Sequence, residues 1–269
     1  MAQSTGIPQL GLGTFGRTGP GGRAAIDIAI EIGYRHLDTA QDYGTEANVG
    51  AAIRESGLKR DAFFVTTKVA TGNLGAGKLV PSIEKSLAVS GLDRFDLVLI
   101  HWPSPDGVPP SVYLPELAEA KARGLTRLIG VSNFTIPLIE DAIGILGAGA
   151  LATNQVELHP YLQNRKLASF CDAHDIAVIC YLPIAKNRIA NDPVMTGIAA
   201  AHDAAPAQVA LAFLLAKGYI AIPASGSRTH LLSNFAARQL SLTAADIARI
   251  EGLDRGTRYI DPAWGPDWD

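Results

Sequence analysis

Eight short, β-branched apolar runs recur along the chain, each separated from the next by a segment of helical period. This alternation restricts the fold more than any other feature. The runs predict strands over 9–15, 35–39, 63–68, 95–101, 127–132, 154–159, 177–182 and 219–224. The segments between them predict helices such as 22–33, 45–57, 79–90, 113–124 and 206–218. Most of these stop at glycine, which tolerates a left-handed helix end. Thr45 is an expected N-cap, and Thr243 with Asp246 three residues on predicts a capping-box start to a last helix. Runs such as FFVTTKV and LVLIHW are apolar nearly throughout, as in parallel strands covered on both faces. Eight βα units in about 250 residues predict an α/β fold, a single (β/α)8 TIM barrel, ahead of an open doubly wound sheet. No Pro/Gly/Ser-rich linker divides the chain, so one domain over 1–269 is expected.

Composition removes several classes of function. Lys and Arg number 23 against 26 Asp and Glu, a net charge of -3, so no basic field exists to draw nucleic acid or an anionic membrane. Cys171 and Cys180 are the only cysteines and form no CxxC or Cys/His cluster. Neither a disulfide scaffold nor a metal site is expected, and a reducing cytoplasm is the expected compartment. The start MAQSTGIPQLGLGTFG lacks a basic head followed by an apolar run, and no stretch of about twenty apolar residues occurs. Neither export nor a membrane span is predicted.

Two glycine motifs invite a nucleotide-binding assignment and fail it on context. Gly11, Gly13 and Gly16 spell the dinucleotide fingerprint, which must end a strand and open a helix, yet here the chain runs on into RTGPGG. Gly72 to Lys78 has phosphate-loop spacing, but Leu79 stands where a hydroxyl should meet magnesium.

In such a barrel the working site lies at the C-terminal ends of the strands. The predicted ends carry Asp38, with Tyr43 five residues on, then Lys68, His101 followed by Trp102, Ser132 and Asn133, Gln155 and Glu157, and Tyr181. Lys68 closes an apolar strand and needs a counter-charge, which Asp38 on the neighbouring strand supplies. A lysine beside the Tyr43 hydroxyl stabilises phenolate and is expected to lower its pKa, making a proton donor near neutral pH. His101 is placed to orient a substrate oxygen. Each residue alone has a structural explanation; their convergence at one rim favours chemistry.

The segments GYRHLDTAQDYGTEANVGAAI, VTTKV, LVLIHWPSP, IGVSNF and NQVELHPYLQ resemble the signatures of the aldo-keto reductases over nearly the whole chain. The tail ending in WD is most similar to the short bacterial members that reduce 2,5-diketo-D-gluconate and methylglyoxal. The resemblance implies a barrel that binds NADPH without a Rossmann domain. It also implies a hydride transfer to a small carbonyl substrate, with Tyr43 as general acid, Lys68 and Asp38 tuning it, and His101 orienting the carbonyl. It further implies that Ser132, Asn133 and Gln155 hold the nicotinamide carboxamide and that Tyr181 stacks on its ring. Thr14, Phe15, Asp38, Ser225, Arg228 and Asn234 are the other implied cofactor contacts. Phe15, Tyr43, His101, Trp102 and Trp264 are the implied substrate contacts, with a tail of about 255–269 near the mouth. A monomer is the family's default.

The sequence departs from that pattern where the cofactor's 2′-phosphate is gripped. The usual I-P-K-S reads Ile222-Pro223-Ala224-Ser225, and His230 replaces an arginine. Arg228 is the nearest substitute, and a reduced preference for NADPH over NADH is expected. Ala70 replaces a tryptophan, which widens the pocket. Lys186-Asn187-Arg188 is either a pyrophosphate contact or a solvated turn. Two other functions compete: a cofactor-sensing module with little turnover, and a Schiff-base lyase using Lys68.

Overall fold

The computed structural model describes residues 6–269. Eight parallel strands run in sequential order: β1 (Gly11–Gly13), β2 (His36–Asp38), β3 (Phe64–Val69), β4 (Phe95–Ile100), β5 (Thr126–Ser132), β6 (Thr153–Glu157), β7 (Ala177–Tyr181) and β8 (Ile220–Ala221). Around them lie α1 (Gly19–Ile32), α2 (Glu46–Glu55), α3 (Leu79–Ser90), α4 (Pro110–Ala122), α5 (Ile136–Leu146) and α6 (Arg165–Ala173). These are followed by α7 (Pro193–Ala201), α8 (Pro206–Ala216), α9 (Arg228–Ala236) and α10 (Ala244–Glu251). The predicted barrel is therefore present. Its seam closes where Ala221 N donates to Gln9 O at 2.8 Å and Gly13 N donates to Pro223 O at 3.1 Å.

β1 and β8 are shorter than the sequence predicts, and the glycines explain the close approach at the seam. At the seam a methyl group on Gly13 would stand 2.8 Å from Ile222 O, and on the opposite side one on Gly11 would stand 2.7 Å from His36 Nδ1 of β2. These glycines serve strand packing. Helix α1 starts three residues earlier than expected, because Pro20 supplies a preset φ in its first turn. The second glycine motif has an internal acceptor in place of an anion. The amides of Gly77 and Leu79 already donate to the two Glu116 carboxylate oxygens, at 2.6 and 3.0 Å.

Side chains alternate along each strand, and the inward set passes from apolar floor to polar rim. Phe64, Leu97, Leu99, Ile179, Ile220 and Ile222 fill the barrel interior as one cluster. Two residues further along the same faces come Lys68 after Thr66, His101 after Leu99, and Tyr181 after Ile179. The outward set packs under the helices as a second, larger core.

Capping departs from expectation at one end and matches it at another. Thr45 precedes α2 without capping it, because its hydroxyl is shared with Thr14 (2.9 Å) and Thr39 (2.7 Å) inside the rim. Thr243 and Asp246 form the reciprocal capping box at the start of α10. Thr243→Ala removes that bond and is expected to cost about 1 kcal/mol, read as a lower denaturant midpoint at unchanged m-value. An unchanged midpoint would show the box to be energetically silent. Both cysteines are buried, and burial pushes the Cys171 thiol up to about 12 and Cys180 higher still. Among the described residues, no cluster of three or more His, Cys, Asp or Glu is placed to hold a metal, and no single helix is long and apolar enough to cross a membrane.

Candidate active site

The rim gathers residues from β2, β3, β4, β5, β6 and β7 into one bowl. Lys68, buried at 1% exposure, donates from Nζ to Asp38 Oδ1, to Thr39 O at 3.0 Å and to the Tyr43 hydroxyl at 3.5 Å. Tyr43 comes from a 3-10 turn (Gln41–Tyr43) directly after β2, ended by Gly44 in the left-handed region. That turn folds the phenol back over the barrel, 3.4 Å from His101 Nε2.

Electrostatics here is a contest between burial and charge. Burial lowers the Lys68 pKa, but attraction to Asp38 and Tyr43 outweighs it, and the ammonium is held more firmly than in water. Burial raises the Tyr43 pKa, and Lys68 only partly offsets this. The expected net lowering of the phenol is therefore reversed. Tyr43 stays protonated through neutral pH, and Lys68 acts by stabilising the phenolate that a proton transfer would leave. Burial also lowers the His101 pKa, against the raising influence of Asp42.

The four predicted carboxamide-side residues form one network. Ser132 Oγ donates to Gln155 O at 2.8 Å, and Asn133 Nδ2 donates to Ser132 Oγ and to His101 O, both at 3.1 Å. The Tyr181 hydroxyl donates to Asn133 Oδ1 at 2.8 Å. Asn133 adopts a left-handed φ of 61°, which asparagine tolerates better than most residues. Gln155 Nε2 is committed to Asp38 Oδ2 at 2.8 Å, so its amide nitrogen braces the Asp38–Lys68 pair. Thr14 is likewise a brace: its buried hydroxyl donates to Asp38 O at 2.9 Å.

The mouth is aromatic. Phe15, 70% exposed, meets Tyr43 edge-on at 5.1 Å, and the buried Trp102 is met edge-on by Trp264 at 5.2 Å. Trp264 is 50% exposed at this edge. Trp268 also meets Trp102 edge-on, at 6.1 Å, and pins the tail: its Nε1 donates to Asp261 at 2.8 Å, and the Arg258 guanidinium lies 3.5 Å over its ring.

The fold gives several residues singled out in the sequence partners that the sequence did not indicate, and it adds Arg17. Buried Glu157 accepts the backbone amides of Tyr259 (2.7 Å) and Ile260 (2.8 Å), latching the tail to β6. A carboxylate at the end of an apolar strand was the available signal. Lys186, in a left-handed turn, donates to Tyr259 O at 3.5 Å, so this basic loop is tied to the tail. Beyond β8, Ser225 is buried and accepts from Ser227 N at 3.1 Å, and Asn234 is buried on α9. Arg228 pairs with Glu31 at 2.9 Å on the surface. Arg17, from the loop after β1, crosses to this segment instead. A methyl group on Gly226 would stand 2.8 Å from its Nη1, and its buried Nε finds no hydrogen-bond partner among the described residues.

Fold and site together describe a (β/α)8 barrel whose mouth is organised around a protonated phenol held by a lysine–carboxylate pair. A sequence model of the aldo/keto reductase family matches residues 9–255, and the chain belongs to that family. It is 47% identical over 265 residues to methylglyoxal reductase DkgB of Salmonella typhimurium, covering 98% of this chain and 99% of the relative. The counterpart in Escherichia coli O157:H7 matches equally well, at 47% over 265 residues. Among solved structures, a protein assigned as a 2,5-diketo-D-gluconic acid reductase B superposes with a TM-score of 0.93 at 35% identity, over 100% of this chain and 96% of that one. Aldose reductase from Schistosoma japonicum gives 0.89 at 29% identity, over 94% and 91%.

Proposed function

We propose that the protein reduces small aldehydes and α-dicarbonyls, methylglyoxal among them, with NADPH as the preferred reductant and Tyr43 as the general acid. The observation that carries this reading is the phenol itself. Tyr43 is half-buried, protonated, within 3.5 Å of a cationic lysine and edge-on to the exposed Phe15 ring at the mouth. The reduced dinucleotide supplies a hydride when bound. The chain's own residues do the remainder. His101 and Tyr43 converge on the position of a carbonyl oxygen. The phenol gives that oxygen its proton, and Lys68 stabilises the resulting phenolate. Phe15, Trp102 and Trp264 give the mouth an aromatic edge suited to short apolar-bodied carbonyl compounds.

The chain fits a phosphorylated dinucleotide. Ser132, Asn133 and Tyr181 form the carboxamide and ring side, and Arg17 with its orphaned Nε supplies a cation beside Gly226. Arg228 joins it once released from Glu31. The Schiff-base alternative is disfavoured, because an amine must lose its proton to attack a carbonyl and Lys68 is held protonated by Asp38. A sensing module has no use for a donor phenol so placed. We read the enzyme as a cytoplasmic monomer, which light scattering on a sizing column tests.

Initial rates of methylglyoxal reduction with NADPH and NADH test the reading. Turnover with both is expected, with NADPH favoured less steeply than two fixed phosphate-binding cations would give. Equal or better efficiency with NADH would assign NAD instead. Arg17→Ala is expected to weaken NADPH binding about tenfold, in line with one charge-assisted hydrogen bond, and NADH binding less. Tryptophan-fluorescence titration measures both. An equal loss for the two cofactors would move Arg17 to the pyrophosphate.

A further inference from the structure

His101 is flanked on both sides by consecutive residues of one turn. Its Nε2 stands 3.4 Å from the Tyr43 hydroxyl, and its Nδ1 stands 3.5 Å from Asp42 Oδ2. Nδ1 is buried and has no hydrogen-bond partner among the described residues. Asp42 is the nearest acid to it and has a 56% exposed side chain. The separation is that of an ion pair when the ring is protonated, and Asp42 is the acceptor that faces Nδ1.

The protonation states of imidazole make this arrangement consequential. A neutral ring with its hydrogen on Nδ1 satisfies Asp42 but turns a lone pair from Nε2 toward Tyr43, competing with substrate for the phenol's proton. A neutral ring with its hydrogen on Nε2 turns a lone pair toward the Asp42 carboxylate. Only the doubly protonated ring satisfies both neighbours.

We propose that Asp42 is a positioning residue for His101, holding Nδ1–H and thereby favouring the imidazolium form with Nε2–H directed at the Tyr43 oxygen. The inference rests on the reading of Tyr43 as the acid. In reduction the Tyr43 O–H bond breaks and its proton goes to the substrate oxygen. The phenolate then takes the Nε2 proton, leaving the neutral Nδ1–H ring that Asp42 stabilises. Solvent restores the Nε2 proton after product leaves. Burial, the largest influence, joins Lys68 in favouring the neutral ring and lowers the His101 pKa overall, while Asp42 and Asp38 favour the cation and limit that fall, so the imidazolium limb lies on the acid side of the ordinary histidine range. Directly after β5, neutral Asn133 donates to the backbone oxygen of His101 at 3.1 Å.

The test compares Asp42→Asn and Asp42→Glu with the parent enzyme by the kcat–pH profile for methylglyoxal and by NMR titration of the His101 ring in the cofactor-free protein. Because the imidazolium is the working form, kcat falls as pH rises through the His101 titration. Removing Asp42's charge is therefore expected to move that limb, and the NMR midpoint, down by about one pH unit. On the flank, kcat then falls by up to about tenfold, with KM and cofactor affinity unchanged. Asp42→Glu restores at least part of the shift. Superimposable profiles and an unmoved His101 midpoint would overturn the proposal, as would a rise in KM with kcat and its pH limb intact. Absence of turnover by the parent enzyme would sink the Tyr43 reading instead, while the NMR comparison would still decide the Asp42–His101 coupling.

Discussion

Tyr43→Phe is expected to lower kcat for methylglyoxal by about 10²- to 10⁴-fold, the usual contribution of a positioned general acid. Dinucleotide affinity is expected to stay within about twofold, because the change removes one oxygen that only Lys68 and His101 meet. The phenylalanine keeps the edge-on contact with Phe15, and Lys68 keeps Asp38 and Thr39 as acceptors, so the rim is not dismantled. Fluorescence titration and initial rates on one preparation separate the two quantities. A kcat within tenfold of the parent would transfer the acid role to His101 or to water. A matching loss of cofactor affinity would show that the hydroxyl holds the dinucleotide.

What could be read from the sequence was what repeats with a period or lies within a few residues. Asp38, Lys68, His101, Ser132 and Tyr181 were legible because each interrupts an apolar strand at or next to its predicted end, where a polar group needs a reason, whereas Gln155 lies near the start of its predicted strand. What escaped depends on partners distant in sequence. The Thr45 hydroxyl looked like a cap, and only the fold brings Thr14 to within 2.9 Å of it. Glu157 looked like one more rim residue until the tail returned about a hundred positions later to place two amides on it. Arg17 carried no signal in the sequence, and the fold brings it beside Gly226 beyond β8.

The Tyr43 ionisation shows the same limit in energetic form. The sequence supplies the sign of the lysine's influence, which is correct. It does not supply the burial against which that influence competes. At 3.5 Å the ammonium lowers the phenol's pKa, yet removal of the phenol from water raises it by more. Tyr43 therefore holds its proton at neutral pH, as the general-acid role proposed for it requires.

Lys68→Met isolates that arrangement and carries the second large effect. The thioether fills much the same volume but leaves the Asp38 carboxylate buried with only Gln155 Nε2 as a side-chain partner. Breaking one side of a buried pair costs about 3–5 kcal/mol, so a marked drop in thermal midpoint is expected. Activity is expected to fall by about a hundredfold or more, because the phenolate left by Tyr43 loses its counter-charge. Stability and catalysis are separated by the double variant Lys68→Met, Asp38→Asn, which removes both charges. If the pair acts on Tyr43 electrostatically, this variant regains most of the lost midpoint and none of the turnover. Recovery of both together would reduce Lys68 to a structural counter-ion and leave the ionisation of Tyr43 to burial and His101.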